Sequence, residues 1–239
     1  MKKQLVVIFS FFISLLSISS CIFIGPSVKG NGHVTKETRQ IGDFNEIKVS
    51  TGLHVTLIQS DRELITVEAD ENLHEVIRTE IKRNELKIFT DERIKKSKIL
   101  HVTVEFTDLE ELHSLAGAQV NSDGIIKVKN LTTSASSGSQ QSLTIHTQYF
   151  EAKTSSGAHI SIKGKTQDVD LKSSSGSHLK AGELTAENCV ADVSSGAHIY
   201  IDVTTDFEGE ASSGGHIFYT GSPQSVDINT SSGGNIIKK

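Results

Sequence analysis

Hydrophobic and polar residues alternate in register with a Ser-Ser-Gly motif that recurs through the C-terminal part of the chain. The six glycines of the motif lie 19, 19, 20, 18 and 19 residues apart: Gly138, Gly157, Gly176, Gly196, Gly214 and Gly233. The residue seven positions before each glycine is apolar: Leu131, Phe150, Val169, Cys189, Phe207 and Val226. Five before, three after and five after, the residues are also mostly apolar or small, with polar residues between them. This period of two predicts β-strands with one buried face on each side of the motif.

One such unit is too short to bury its own apolar face. Stacked copies bury it, because each strand then pairs with its counterpart one unit on, about 4.8 Å away, and equivalent side chains pile up inside. The repeat therefore predicts an all-β fold, a parallel β-helix (β-solenoid) with coils of about 19 residues in the C-terminal half. At each corner a glycine supplies the positive φ that a sharp change of direction requires.

The pattern extends upstream with less regularity. Gly117 fits one unit earlier, and Gly52 lies within a first coil predicted over residues 44–57. Between these two glycines, three alternating segments predict strands that belong to longer, irregular coils or to a cap of the same solenoid: Leu64 to Ala69, Glu85 to Thr90 and Leu100 to Phe106. Residues 70–76 are compatible with a helical turn.

Residues 1–20 have the features of a lipoprotein signal peptide. Lys2 and Lys3 precede an apolar run over residues 5–16, and Ile18-Ser19-Ser20-Cys21 has the form of a lipoprotein cleavage site. Cys21 is therefore predicted to become the lipidated first residue of the mature chain. The alternative is a signal anchor with an ordinary Cys21, although the apolar run is shorter than the roughly 20 residues that span a bilayer. Residues 21–33 are predicted to be a flexible tether, followed by a single β-helix domain over residues 34–239.

The net charge argues against a nucleic-acid partner, and the cysteine content argues against a disulfide. Removal of residues 1–20 takes away two lysines and no acid, which leaves 22 basic and 29 acidic residues and a net charge of −7. A mildly acidic chain without basic clusters is a poor candidate for binding nucleic acid. With Cys21 lipidated only Cys189 remains, at an inward position, where a thiol behaves as a small apolar group, so no disulfide is expected.

Three segments, together with the trailing Ser-Gly repeats, resemble the family described as "putative auto-transporter adhesin, head GIN domain": FNEIKV at 44–49, VTLIQ at 55–59 and ITVEADENL at 65–73. The likeness covers roughly residues 34–239. The resemblance implies a right-handed parallel β-helix in a secreted or lipid-anchored envelope protein with no established activity. Where repeats of that family often place an aspartate after the corner, this chain mostly has histidine.

Those histidines are the candidate functional residues. Two positions after successive motif glycines stand His159, His178, His198 and His216, with Gln140 before them and Asn235 after them. Stacking predicts a row along one edge, with neighbours about 4.8 Å apart at the backbone. Two interpretations stay open. Adjacent imidazoles share a metal ion, or polar residues simply tolerate the corner and solvent, which is favoured because no acidic or thiol partner recurs beside them. No metal and no cofactor is therefore predicted.

An enzyme on a β-helix scaffold is the alternative class. Such chemistry needs a local, non-repeating group of acids or bases. The carboxylates of Glu151, Asp168, Asp170 and Asp192 lie on the outward side of successive strands, as a solvated face does. Tyr200, Phe218 and Tyr219 are candidates for a small exposed apolar patch, although Tyr219 is at an inward position. The absence of Trp leaves few aromatic platforms for sugars.

The sequence thus predicts an exported, lipid-anchored and non-catalytic β-solenoid in the bacterial cell envelope, at the outer membrane. Its expected role is to present a regular surface that binds envelope components, glycans or partner proteins in an adhesin-like manner. A polysaccharide-acting enzyme is the alternative. Membrane contact is expected through the lipid on Cys21, and no nucleic-acid partner is expected.

Overall fold

The computed structural model describes residues 25–239. About 67% of the residues are in β-strands, and the helical structure within residues 25–239 is a single 3-10 helix at Glu71–Leu73. The strands are β1 (Ser27–Lys29), β2 (Val34–Gln40), β3 (Glu46–Val49), β4 (His54–Gln59), β5 (Leu64–Asp70), β6 (Ile77–Lys82), β7 (Glu85–Thr90), β8 (Arg93–Lys96), β9 (Leu100–Phe106), β10 (Glu111–Ser114), β11 (Gln119–Lys127), β12 (Asn130–Ala135), β13 (Gln140–Thr154), β14 (His159–Ser173), β15 (His178–Val193), β16 (His198–Ala211), β17 (His216–Gly221), β18 (Ser225–Thr230) and β19 (Asn235–Lys238). The predicted signal peptide and Cys21 lie outside the described residues.

The C-terminal half is a stack of parallel strands, each paired with the strand one coil on. Strands β13, β14, β15 and β16 pair in sequence order, and Phe150 lies opposite Val169, which in turn lies opposite Cys189. The parallel partners are about 19 residues apart and build about seven turns. The predicted β-solenoid is confirmed.

The interior follows the predicted alternation. Phe150, Phe207 and Ile199 are almost completely buried, and their neighbours in sequence point outward. Cys189 is free and buried, and burial followed by the nearby Asp170 carboxylate raises the pKa of its thiol strongly. In the last described coil, the equivalent positions Val226 and Ile228 are 44% and 49% exposed, since their strand β18 is paired on one side with β16.

The corner is a four-residue turn in which two residues, not one, adopt the left-handed conformation. In the turn that starts at Ser155, Ser156 has φ 52° and Gly157 has φ 68°, and the Ala158 amide donates to the Ser155 carbonyl at 3.1 Å. The Gly157 amide then donates to the Ser175 carbonyl of the next coil at 3.2 Å. The corners are therefore bonded to one another as well as the strands.

Some interior positions carry polar side chains that bond to each other. Gln141 is 3% exposed, and its Nε2 donates to Ser114 Oγ at 3.0 Å and to the Ser134 carbonyl at 2.8 Å. Thr133 Oγ1 donates to Gln141 Oε1. These bonds satisfy the amide and explain how a glutamine occupies a position that other coils fill with Ile or Leu.

The N-terminal half does not stack in sequence order. Strand β3 pairs in parallel with β7 on one side and β10 on the other, and β4 lies in the same way between β9 and β11. The coil of β3 and β4 therefore sits inside the stack, and the later coil of β7 and β9 lies beyond it. Strands β2, β5 and β6 cover that end in antiparallel pairs. Both the irregular coil and the cap were predicted as alternatives, and both occur.

Part of the predicted tether is ordered. Within residues 21–33, Ser27–Lys29 forms β1 and pairs in parallel with β8. The segment that follows is held by the buried Asp70, whose carboxylate accepts from the Gly32 amide at 2.9 Å and the Lys98 amide at 3.1 Å. Over residues 25–239, none of the helical structure is long and apolar enough to cross a membrane.

Candidate binding surface

A single row of outward side chains follows the corners along the whole solenoid. Register places these residues opposite one another from the cap to the last coil: His101, His54, Gln119, Gln140, His159, His178, His198, His216 and Asn235. All five residues of the candidate row predicted from the sequence lie in it. The turn fixes the direction of most of them, because a buried residue such as Leu53, Ala118 or Ala158 lies between the corner glycine and the row residue.

The four consecutive imidazoles, His159, His178, His198 and His216, form a stacked column that we call the histidine ladder. Their ring centroids are 4.9, 4.9 and 5.3 Å apart in order, with interplanar angles of 4°, 39° and 16°. Nδ1 of His198 and Nε2 of His178 are 3.2 Å apart and share a hydrogen bond. Stacking covers the faces of the inner rings, so solvent reaches the ladder at the imidazole edges rather than at the ring faces.

The histidine ladder has no carboxylate partner, unlike two other histidines of the chain. His113 lies 3.0 Å from Glu111, and His74 lies 3.3 Å from Glu37. Within residues 25–239, no acidic oxygen approaches a ladder nitrogen within salt-bridge distance. The ladder is therefore electrostatically unsatisfied when protonated.

The surroundings of the ladder favour neutral imidazoles. Burial, followed by the charges of His159, His198 and Lys180, lowers the pKa of His178. Burial and then His216 lower the pKa of His198. The buried Nδ1 of His178 has no hydrogen-bond partner. Each protonation thus opposes the next, because like charges would stand side by side.

Acidification is expected to destabilise the solenoid through this ladder. The folded state holds the pKa of His178 and His198 below 6.5, so the unfolded chain binds more protons as the pH falls through that value. Stability present above about pH 6.5 is therefore lost below it, by roughly 0.2–1 kcal/mol for each charged neighbouring pair. Thermal unfolding of the wild type and of the double variant His178→Gln with His198→Gln, at about pH 7.5 and about pH 5.5, measures the effect. An equal loss of Tm in both proteins would contradict it.

In the last coils, aromatic side chains lie beside the row, two residues further along the strands. Tyr200 and Phe218 stack at 4.9 Å on the outside, and Lys239 Nζ lies 4.5 Å above the Phe218 ring. Tyr219 instead points inward, is 8% exposed and packs 4.6 Å from Phe207. The predicted aromatic patch thus consists of Tyr200 and Phe218, which are both partly buried.

The ladder lacks the ligand set of a preformed metal centre. Among residues 25–239, no three His, Cys, Asp or Glu side chains converge as metal ligands. An open depression of about 300 Å³ runs along the row, and it is lined by equivalent positions of successive coils, among them Gln140, His159 and His178. Such a depression suits contacts with an extended ligand rather than enclosure of a small one.

The carboxylates considered for catalysis lie on another face and are mostly paired. Asp168 accepts from Asn188 Nδ2 at 2.8 Å, Asp170 pairs with Lys172 at 3.2 Å, and Glu151 pairs with Lys153. They follow the repeat along the sheet, as predicted for a solvated outer face.

Sequence reasoning missed His101 and Lys239 as members of this surface. His101 belongs to the coil that the chain adds out of order, and only the pairing of β4 with β9 places it beside His54. Lys239 folds back over aromatic rings of earlier coils, for which the sequence carries no signal.

A comparison with known families decides the relationship. The family model described as "Putative auto-transporter adhesin, head GIN domain" matches residues 43–223. The chain belongs to this family. The match covers most of the solenoid, including the ladder, and confirms the resemblance stated from the sequence. No curated protein sequence matches the chain.

Solved structures share the fold of this head GIN domain protein. A putative adhesin from Bacteroides fragilis aligns with a TM-score of 0.83 at 17% identity, covering 89% of this chain and all of its own. A putative adhesin from Parabacteroides distasonis aligns with a TM-score of 0.75 at 20% identity over 90% of this chain and all of its own. A protein from P. distasonis described as a putative lipid binding protein aligns with a TM-score of 0.71 at 18% identity over 89% and 100%. At these identities the likeness concerns the fold alone.

Proposed function

We propose that this protein is an exported, lipid-anchored and non-catalytic adhesin-like module that binds envelope components or glycans through its regular faces. The observation that carries the proposal is that open depressions are lined by equivalent positions of successive coils, as along Gln140, His159 and His178. A catalytic site instead needs a local, convergent group of residues. The family description as an adhesin supports the same reading.

The anchor completes the proposal. Cys21 follows Ile18-Ser19-Ser20 and would carry the lipid at the membrane, which places the solenoid in the bacterial cell envelope, at the outer membrane. Few residues separate Cys21 from β1 at Ser27–Lys29. The solenoid would therefore stay close to the bilayer surface.

The test captures the lipidated protein from the envelope of cells that express it and identifies what accompanies it. Palmitate label should mark the wild type and the Cys189→Ser variant but not Cys21→Ser, since Cys189 is buried in the core. The wild-type protein should retain envelope polysaccharide or protein, and the retained polysaccharide should not be shortened. Release of new reducing ends from retained polysaccharide over time would favour the enzyme instead, and retention of nothing would overturn the binding role.

A further inference from the structure

The histidine ladder combines four adjacent imidazoles with nearby lysines, and within residues 25–239 no carboxylate lies within salt-bridge distance of it. We propose that it is a binding site for a linear anionic polysaccharide and that the site becomes active as the pH falls through the range in which histidine ordinarily titrates. This inference rests on the proposed binding function and specifies the ligand class and the regulation of that same surface.

The geometry favours a linear ligand with repeated anionic groups. The four rings are spaced 4.9, 4.9 and 5.3 Å apart along one line. Stacking leaves the imidazole edges open, and a protonated ring donates hydrogen bonds to carboxylate or sulfate oxygens from any edge nitrogen that solvent reaches. Nδ1 of His178 is buried and is not such a donor. The depression along this row is open and does not enclose a small anion. Several weak contacts in line, rather than one strong contact, would supply the affinity.

The charges that face the ladder are cationic or neutral. On β15, Lys180 contributes to the lowered pKa of His178. The ladder is bounded by Gln140 on β13 and Asn235 on β19, both uncharged. The other side chains two residues along the strands are Ser161, Tyr200 and Phe218, and Lys239 lies over the last two of these rings.

Carboxylates further along the same strands are already bonded. Asp202 accepts from Thr220 Oγ1 at 2.9 Å, and Glu183 pairs with Lys163 at 2.8 Å. Neither is a salt-bridge partner of a ladder histidine. Protonation of the ladder would therefore create an unbalanced cationic strip on a protein that is acidic as a whole.

Other anionic polymers fit this surface less well. Single-stranded nucleic acid binds basic grooves whose aromatic faces stack with bases. Here Tyr200 and Phe218 stack on each other at 4.9 Å, so one face of each ring is covered, and the Lys239 ammonium lies 5.2 and 4.5 Å from the two ring centroids. A polysaccharide needs no ring faces when its charged groups bond to imidazole edges.

Proton uptake and ligand binding are coupled at this site. Burial first, and then the charges of neighbouring imidazoles, lower the pKa of His178 and His198, so adjacent rings resist charging together. An anionic chain laid along the ladder offsets that repulsion, so its binding must raise the same pKa values, and acid must raise its affinity.

The experiment measures binding of fluorescent polygalacturonate to the mature solenoid at about pH 7.5 and about pH 5.5, at about 0.15 M salt. We expect Kd to fall at least about tenfold on acidification, which corresponds to about two charged contacts. The double variant His178→Gln with His198→Gln should lose most of this gain. Glutamine suits the test because Gln119 and Gln140 occupy the same row. The control is His113→Gln, which lies off the row beside Glu111 and should behave as the wild type.

Further probes separate charge from sugar. Dextran sulfate should share the pH response, neutral dextran should not bind, and free sulfate should compete only weakly because it makes one contact at a time. The inference is overturned if polygalacturonate binds equally at both pH values, if the double variant binds as the wild type does, or if neutral dextran binds as well. Envelope capture repeated with the double variant at about pH 7.5 separates the two proposals. If the double variant captures envelope material as well as the wild type does, the adhesin-like role stands even when the ladder does not bind polygalacturonate.

Discussion

Replacing Phe150 by alanine is expected to lower the free energy of unfolding by about 3–5 kcal/mol, as loss of a fully buried phenylalanine ring usually does. The ring is completely buried, with Leu131 opposite it in the preceding coil and Val169 in the next. A coil contacts only its two neighbours, so no third layer can move into the space. The cavity would therefore weaken the attachment of both adjacent coils.

Tyr149 provides the matched control one residue away. It lies on the same strand but is 38% exposed on the outer face. Tyr149→Ala removes a similar volume and should cost no more than about 1 kcal/mol, as surface changes usually do. Urea unfolding followed by circular dichroism compares the two variants. Similar midpoints for both would mean that the interior position is not what supports the stack.

The C-terminal half of the fold could be predicted because the spacing between the motif glycines determines it. Each motif glycine marks a corner, so the distance between glycines is the length of a coil and fixes which residues stack. Val169 and Cys189 stand seven positions before their glycines and lie opposite each other. The histidine row follows from the same register.

The N-terminal half could not be predicted in detail, because alternation alone does not distinguish parallel from antiparallel pairing. Leu64–Asp70 alternates as well as Glu85–Thr90 does, yet the first is an antiparallel cap strand and the second is part of a parallel coil. The order of coils in space depends on contacts between residues far apart in sequence. His101 therefore joined the row without a local signal.

Two local features were also beyond the pattern. Gln141 would be assigned to the surface by polarity, but partners contributed by two earlier strands hold it inside. The second serine of the motif adopts a positive φ like the glycine after it, as Ser156 shows. Serine has no intrinsic preference for a positive φ. The hydrogen bond from the following Gly157 amide to the next coil offsets the cost of this conformation.

The chemistry of the ladder was open from the sequence for a related reason. Spacing placed the imidazoles in line, but only the stacked rings show that edges rather than faces are available. The absence of a paired acid in the described residues likewise depends on three-dimensional neighbours, as the contrast with His113 and Glu111 shows.

A single methyl group at Gly164 is expected to be nearly as damaging as the loss of the Phe150 ring. Gly164 has φ +118°, and a Cβ there would lie 2.0 Å from the Ile145 carbonyl oxygen and 3.0 Å from its carbon. These atoms belong to the backbone of the neighbouring coil, since Ile145 pairs with Gly164. Alanine must therefore separate the two coils as well as adopt a strained φ. We expect Gly164→Ala to lower the free energy of unfolding by about 3 kcal/mol.

The same substitution at Gly182 tests whether the clash is the cause. Gly182 lies outside the positive-φ region, and its nearest prospective contact is Tyr200 Cβ at 4.0 Å. Gly182→Ala should be neutral or stabilising by about 0.4–1 kcal/mol, because it restricts the unfolded chain without strain in the fold. Guanidinium unfolding of both variants gives the comparison. Equal midpoints would show that the coils are not in backbone contact at residue 164. A large difference would show that the two coils are packed so closely there that only glycine fits.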